Sequence, residues 1–302
     1  FKSLKSNIMR NAQRRVVTRE TIQSAYHLLE SCELCPRVCK VNRLDGEKGF
    51  CGIGAKAVVS STGPHYGEES VLVGKGGSGT IFFAGCNLGC VFCQNSDISQ
   101  LRHGNEVEID DVVNMMLELQ IRGCVNINFV TPTHVVPHII ESVFLARERG
   151  LIIPVVYNCG GYESVGSLQL LEGIIDIYMP DTKYLNPDSS KEYSSAHNYP
   201  DIMKLALLEM HRQVGELEVK DGVATRGLLV RHLVMPGNVA SSKEIIDFIV
   251  NEVSGNTFIN IMEQYRPSYN AHNYPEINRP VTQQEFSKVY EYAKSQGLRL
   301  ST

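Results

Sequence analysis

Three cysteines fall within eight residues, Cys86, Cys90 and Cys93 of GCNLGCVFCQN (85–95). Iron–sulfur clusters are normally held by four thiolates. A loop that offers three covers three corners of a cubane and leaves one iron open to chelation by a substrate or cosubstrate. The loop follows GTIFFAG (79–85), an apolar run that reads as a buried strand. The cysteines therefore sit just past a strand end, where ligands bind in parallel sheets and barrels. The competing reading is a zinc knuckle or a set of reduced core thiols, and three cysteines on a glycine-rich turn after a strand make poor core residues.

A second group, Cys32, Cys35, Cys39 and Cys51, lies in CELCPRVCKVNRLDGEKGFCGIG (32–54). Four thiolates complete a tetrahedral zinc site or a closed cubane, and neither leaves room for chemistry. The centre would be structural or electron-relaying. Gly46, Gly49, Gly52 and Gly54 let the chain fold tightly around it, and a loop of this length needs something to hold it. The spacing does not decide between zinc and iron–sulfur; Pro36 after Cys35 tilts the reading to iron–sulfur.

These groups must be positioned by the rest of the chain. Residues 18–31 read as an amphipathic helix with Ile22, Ala25, Leu28 and Leu29 on one face and Thr18 or Thr21 as cap. From about Val71, strand-like runs (79–85, 125–130, 152–157, 174–179, 227–234, 257–262 and a last one at 298–300) alternate with helix-like runs (110–122, 134–149, 164–172, 200–216, 241–253, 282–296). Such alternation implies parallel strands with right-handed helical crossovers. The expected organisation is an arm and helix over 1–31, a cysteine-rich metal-binding segment over 32–70, and an α/β barrel over 71–302. The 302 residues are 43% hydrophobic with a formal charge of −4, which leaves no electrostatic footprint for nucleic acid or membrane. No apolar run reaches the roughly 18 residues that span a bilayer. The opening FKSLKSNIMRNAQRR is basic without a signal peptide's apolar core. Nine cysteines, an odd number with seven in two tight clusters, read as metal ligands rather than disulfides, and so as a protein of the reducing cytoplasm.

The loop resembles that of the radical S-adenosylmethionine (SAM) superfamily: cysteine, three residues, cysteine, one residue, aromatic, cysteine, with Phe92 at the aromatic position. The resemblance implies a partial (β/α)6 barrel and a [4Fe–4S] cluster whose open iron is chelated by SAM, with Phe92 near the adenine. It also implies reductive cleavage of SAM to a 5′-deoxyadenosyl radical that removes a hydrogen atom from a substrate. A low-potential flavodoxin or ferredoxin would supply the electron. Over about residues 30–300 the chain resembles the pyruvate formate-lyase activating enzyme-like branch, on CELCPRVCKVNR, SGTIFFAGCNLGCVFCQN, INFVTPTH, PVVYNCGGYE, DIYMPDTKY, RHLVMPGN and EQYRP. That branch suggests a protein glycine as substrate. It departs from true activases where Phe129 to Thr133 replaces their Gly-Gly-Glu-Pro phrase. The alternative class is a non-enzymatic iron–sulfur or zinc protein that carries electrons or docks a partner.

Further site residues are expected at the strand ends. Thr131 and Thr133 would contact the methionine moiety of SAM, unless Thr133 only caps the helix that follows. Asn95 joins the cofactor-binding set, and Asn158 suits a ribose hydroxyl. Cys159 reads as a substrate-facing thiol or as a small residue chosen for fit. The resemblance places Asp181 and Lys183 beside the cosubstrate. Arg231 and His232 alternate on one strand, so only one faces inward, and Arg231 would reach an anionic group. Gln264 and Tyr265 close the list. A rim of Arg231, Lys183 and His232 suggests an anionic substrate or a polypeptide backbone, and 185–200 reads as a polar lid over the mouth. GKGGSGT (74–80) lacks the order of a phosphate loop, and His134 and His138 read as polar residues near a helix end.

Overall fold

The computed structural model describes residues 18–301, so the expected arm before Thr18 lies outside the described residues. Helix α1 (Arg19–His27) is capped by Thr18, whose hydroxyl accepts from the Thr21 amide. It buries Ala25, and Leu29 is buried just past its end. The cysteine-rich segment follows, and then strand β1 (Ala57–His65), helix α2 (Ser70–Val73) and strand β2 (Ser78–Phe83). After the three-cysteine loop come α3 (Ser96–Ser99), β3 (Asn105–Val107), α4 (Ile109–Ile121), β4 (Ile127–Val130) and α5 (Val136–Glu148). The chain continues through β5 (Val155–Cys159), α6 (Val165–Leu170), β6 (Ile177–Pro180), α7 (Pro187–Ser194), α8 (Tyr199–Val214), β7 (Glu218–Lys220) and β8 (Val223–Leu233). It ends with α9 (Ser242–Phe248), β9 (Phe258–Met262), α10 (Gln283–Ser295) and β10 (Arg299–Leu300).

The strands form one sheet in the order β10-β9-β8-β6-β5-β4-β2-β1-β3, with β7 paired to β8. Every neighbour pair from β2 to β10 is parallel. Each of those strands is joined to the next through at least one helix, which is the expected partial barrel. β1 and β3 extend it antiparallel beyond β2. β1 falls inside the expected segment 32–70, yet it belongs to the barrel sheet.

The strands separate two apolar regions. Ile81, Phe83, Ile127, Phe129, Val155 and Tyr157 join the large core beneath the helices. Leu72, Val156, Ile177, Met179 and Leu229 form a smaller cluster on the other face. Leu72 comes from α2, so the segment between β1 and β2 folds into the barrel and plugs its floor. Alternation then assigns every strand residue a side. Asn128, Asn158, Asp181, Arg231 and Asn260 share the inner face through their pairings with one another and with Val156 and Met179.

Candidate active site

The three-cysteine loop leaves β2 at Gly85, which has φ +83. A side chain there would strike Cys51 O and Ile53 of the cysteine-rich segment, so glycine permits both the turn and the close approach. Each sulfur of the loop has a hydrogen-bonding neighbour. The Leu88 amide donates to Cys86 Sγ at 3.3 Å, Cys90 Sγ meets Ser194 Oγ at 3.0 Å, and Cys93 Sγ meets Ser99 Oγ at 3.1 Å. Burial pushes the thiols of Cys86 and Cys90 up, and repulsion among the three sulfurs adds to this, while the Lys183 ammonium pulls both down. Phe92 is buried with its ring 5.9 Å from that of Tyr265 and 6.5 Å from that of Tyr184. The Tyr265 hydroxyl is taken up by Ile277 O at 2.7 Å. Asn95 is exposed at the start of α3 and makes no side-chain cap.

Segment 185–200 differs from the expected lid. Asn186 caps α7, with Pro187 in its first turn. The buried face of α7, Ser190, Tyr193 and Ser194, then clamps the cysteine loop. The Gly89 and Val91 amides donate to Ser194 O and Tyr193 O at 3.2 and 2.9 Å. Arg37 reaches the same place, donating to Asn87 O and to Ser195 O. The cysteine-rich segment and α7 thus brace the loop from outside the barrel.

Inside the barrel, Asp181 ties the inner face together. It accepts from Lys183 Nζ at 2.6 Å and from Arg231 Nε at 2.9 Å. Arg231 also donates to Asn158 Oδ1 at 2.8 Å and lies 4.0 Å from Glu69. Burial pushes the Asp181 carboxyl up, but Arg231 and Lys183 outweigh it and hold the group below its usual range. Both cations are therefore already matched within the barrel, which removes the basis for expecting an anionic substrate. Thr131, at the end of β4, has φ +58, a strained conformation for a β-branched residue.

Three expected site residues face elsewhere. Cys159 points outward into the core; burial and the neighbouring Glu163 carboxyl push its thiol well up, so it presents no thiolate to the interior. Thr133 neither caps a helix nor faces inward, because its hydroxyl donates to Glu163 Oε1 at 2.7 Å. His232 points outward, between Thr182 O at 2.7 Å and Ser242 Oγ at 2.8 Å. His134 and His138 are buried rather than at a helix surface, with Nε2 on Ala84 O and Ala55 O. Sequence reasoning missed Glu68 and Glu69 at the plug, where GEES carries no pattern that marks a site, and Glu163, which follows the Gly160-Gly161 turn.

The second cysteine group also gathers. Cys51 interacts with Cys32 and Cys39, and Cys35 with Cys51 and Cys32. Burial pushes the Cys35 thiol up to about 12. Arg43 is fully buried and donates to Gly54 O and His134 O. Among the described residues, no three His, Cys, Asp or Glu side chains close on one point as around a single ion.

The radical SAM superfamily model matches residues 80–249, more than half of the chain. The chain belongs to the radical SAM superfamily. Its members are enzymes, and the radical SAM fold implies a [4Fe–4S] cluster and SAM. An uncharacterised protein of Methanocaldococcus jannaschii is 35% identical over 292 residues, which is 92% of this chain and 79% of that protein. The pyruvate formate-lyase-activating enzyme of Listeria monocytogenes is 27% identical over 132 residues, 40% of this chain and 53% of that enzyme. Among solved structures, Streptococcus suis SuiB shares the radical SAM fold with a TM-score of 0.51 at 13% identity, over 72% of this chain and 46% of SuiB. The match thus spans about half of the Listeria enzyme and less than half of SuiB. No helix among the described residues is long and apolar enough to cross a membrane.

Proposed function

We propose that this radical SAM protein is an oxidoreductase in which Cys86, Cys90 and Cys93 would hold a [4Fe–4S] cluster with one open iron, and that it removes a hydrogen atom from a substrate held in the barrel. One observation carries the reading: three sulfurs, each beside a hydrogen-bonding group, gather at the same strand ends as the Lys183–Asp181–Arg231 network. When bound with SAM, such a cluster supplies the electron that breaks a carbon–sulfur bond, giving methionine and a 5′-deoxyadenosyl radical.

The chain's own residues prepare the place. Burial pushes the Cys86 and Cys90 thiols up, and as ligands they would be thiolates, so loading would release protons. Donors at the sulfurs and the nearby Lys183 ammonium offset thiolate charge, a lever on reduction potential. Asp181 fixes Lys183 beside the loop, where the ammonium would offset the charge of the loaded cluster. Phe92, Tyr184 and Tyr265 keep water from one side of the loop. Thr131, Asn158 and Asp181 keep their proposed contacts with the cosubstrate, whereas Thr133 and Cys159 are withdrawn by their outward placement. A flavodoxin or ferredoxin would deliver the electron.

Cys32, Cys35, Cys39 and Cys51 would hold a second, closed centre. Four thiolates around zinc or an iron–sulfur cluster carry net negative charge, and Arg43, buried on carbonyl partners, acts on Cys51 as its counter-charge. The activating-enzyme likeness extends the substrate to a glycine of a partner polypeptide, over the aligned 132 residues.

Anaerobic reconstitution, reduction with dithionite and addition of SAM should yield 5′-deoxyadenosine, and Cys90→Ala should yield none above a protein-free control. Equal product from Cys90→Ala would overturn the assignment of the loop. Redox activity without product, and without a change in the paramagnetic resonance spectrum on adding SAM, would favour an electron carrier.

A further inference from the structure

A cavity of about 620 Å³ opens inside the barrel, lined by Glu68, Glu69 and Val73 of the plug and by Arg231, Asn260 and Met262 of the last strands. Its size suits a small molecule or a side chain of a peptide rather than a bare ion. It adjoins the chemistry: Arg231 borders the cavity and bonds Asp181, Asp181 bonds Lys183, and Lys183 acts on Cys86 and Cys90.

The charges in this space do not cancel. Glu68 and Glu69 line the cavity against Arg231, two carboxylates against one cation that Asp181 already shares. Asp181 takes Lys183 and Arg231 at 2.6 to 2.8 Å, while Arg231 stands 4.0 Å from Glu69. Glu68 has a partner, His65 Nδ1 at 3.1 Å. The Glu69 side chain is only 4% exposed; its Oε1 accepts from Asn260 Nδ2 at 3.1 Å, and its Oε2 accepts nothing. A buried carboxylate oxygen without a donor is costly, and no donor among the described residues reaches this one.

We infer that the cavity is the substrate chamber and that its substrate carries an organic cation, an ammonium or guanidinium, which pairs with the Glu69 carboxylate at the cavity wall. This rests on the radical SAM reading above and adds the substrate class to it. Asn260 holds Glu69 in place, Glu68 adds negative potential, and the cation's hydrocarbon stem lies along Met262 and Val73. The substrate is thus a small amine or guanidine, or a lysine or arginine within a peptide.

The test uses reconstituted protein with SAM, and calorimetric titration with N-acetyl-lysine methylamide and agmatine. N-acetyl-norleucine methylamide, the neutral counterpart of the first, and magnesium alone serve as comparisons. The cationic probes should bind, and Glu69→Gln should weaken them about tenfold or more, the worth of one charge-assisted hydrogen bond. Gln264→Arg, which places a built-in cation at the cavity wall, should weaken them as well; it covers the case in which Glu69→Gln fails to fold. Equal binding of the norleucine probe, unchanged binding in both variants, or displacement of the cations by magnesium would overturn the inference. Product from SAM in wild-type protein without cation binding would sink this inference alone. Cation binding without 5′-deoxyadenosine would instead sink the catalytic reading.

Discussion

Arg231 and His232 are chain neighbours on β8, and they meet burial in opposite ways. His232 faces the core and has both ring nitrogens occupied, by Thr182 O and Ser242 Oγ. Arg231 faces the barrel, where it shares Asp181 with Lys183 and stands off from Glu69, which keeps an oxygen unpartnered. The same contrast separates Asn158 from Cys159, the first in the inner network and the second beside Glu163 under the helices. The outer face spends its polar groups on holding the fold together. The inner face leaves the Glu69 oxygen without a donor, as expected where function opposes stability.

The strongest way to break this comparison is Asp181→Asn, which leaves two largely buried cations on the inner face without their shared counterion. Losing one partner of a buried pair costs about 3–5 kcal/mol. Chemical denaturation should read a loss of that order. A loss below about 1 kcal/mol would mean that the inner charges are solvated as surface pairs are, and the contrast would fail.

A pH experiment sharpens the outer side. Burial pushes the His232 imidazole down from 6.5 to about 4, outweighing the raising effect of its bond to Thr182 O. A depressed histidine contributes stability that is fully present above its unfolded value and is lost as pH falls through the folded one. Between pH 6.5 and about 4 that loss amounts to about 3 kcal/mol at 1.36 kcal/mol per unit. Denaturation at pH 7 and pH 4.5 should show a smaller acid loss in His232→Gln than in wild type. His134 and His138, also depressed by burial, titrate alike in both proteins, so the difference isolates His232. An identical acid loss would place the outer imidazole in contact with solvent.

What the sequence conveyed follows the same division. Strands buried on both faces read as apolar runs, and helices between them as longer periodic ones, so the order of the barrel was legible from about Val71. The three-cysteine loop was legible because its chemistry is local. The orientation of Arg231 against His232 needed only alternation plus a choice of side. What was hidden depends on contacts distant in sequence. Glu69 meets Asn260 across 191 positions, and Thr133 meets Glu163 across 30. β1 carries Gly63 and Pro64 and so has no clean strand signature, yet β2 pairs it. The polar stretch 185–200 reads as a loop because only three of the residues in its helix are buried.

The smallest expected effect lies at Ser242, on the outer side. Since Thr182 offers a carbonyl, His232 Nδ1 must carry the proton, and Nε2 must accept from the Ser242 hydroxyl. Ser242→Ala removes that donor and strands a buried acceptor, at a cost of about 1–3 kcal/mol. Ser242 is 1% exposed, so water does not readily replace the hydroxyl. Threonine keeps the donor, and Ser242→Thr should recover most of the loss. Because His232 points away from the barrel, the yield of 5′-deoxyadenosine per folded protein should stay within about twofold of wild type in Ser242→Ala, less than 0.5 kcal/mol on the barrier. A tenfold fall in yield with stability unchanged would show that the outer imidazole reaches the reaction through its neighbour Arg231, and the two faces of β8 could no longer be treated as separate.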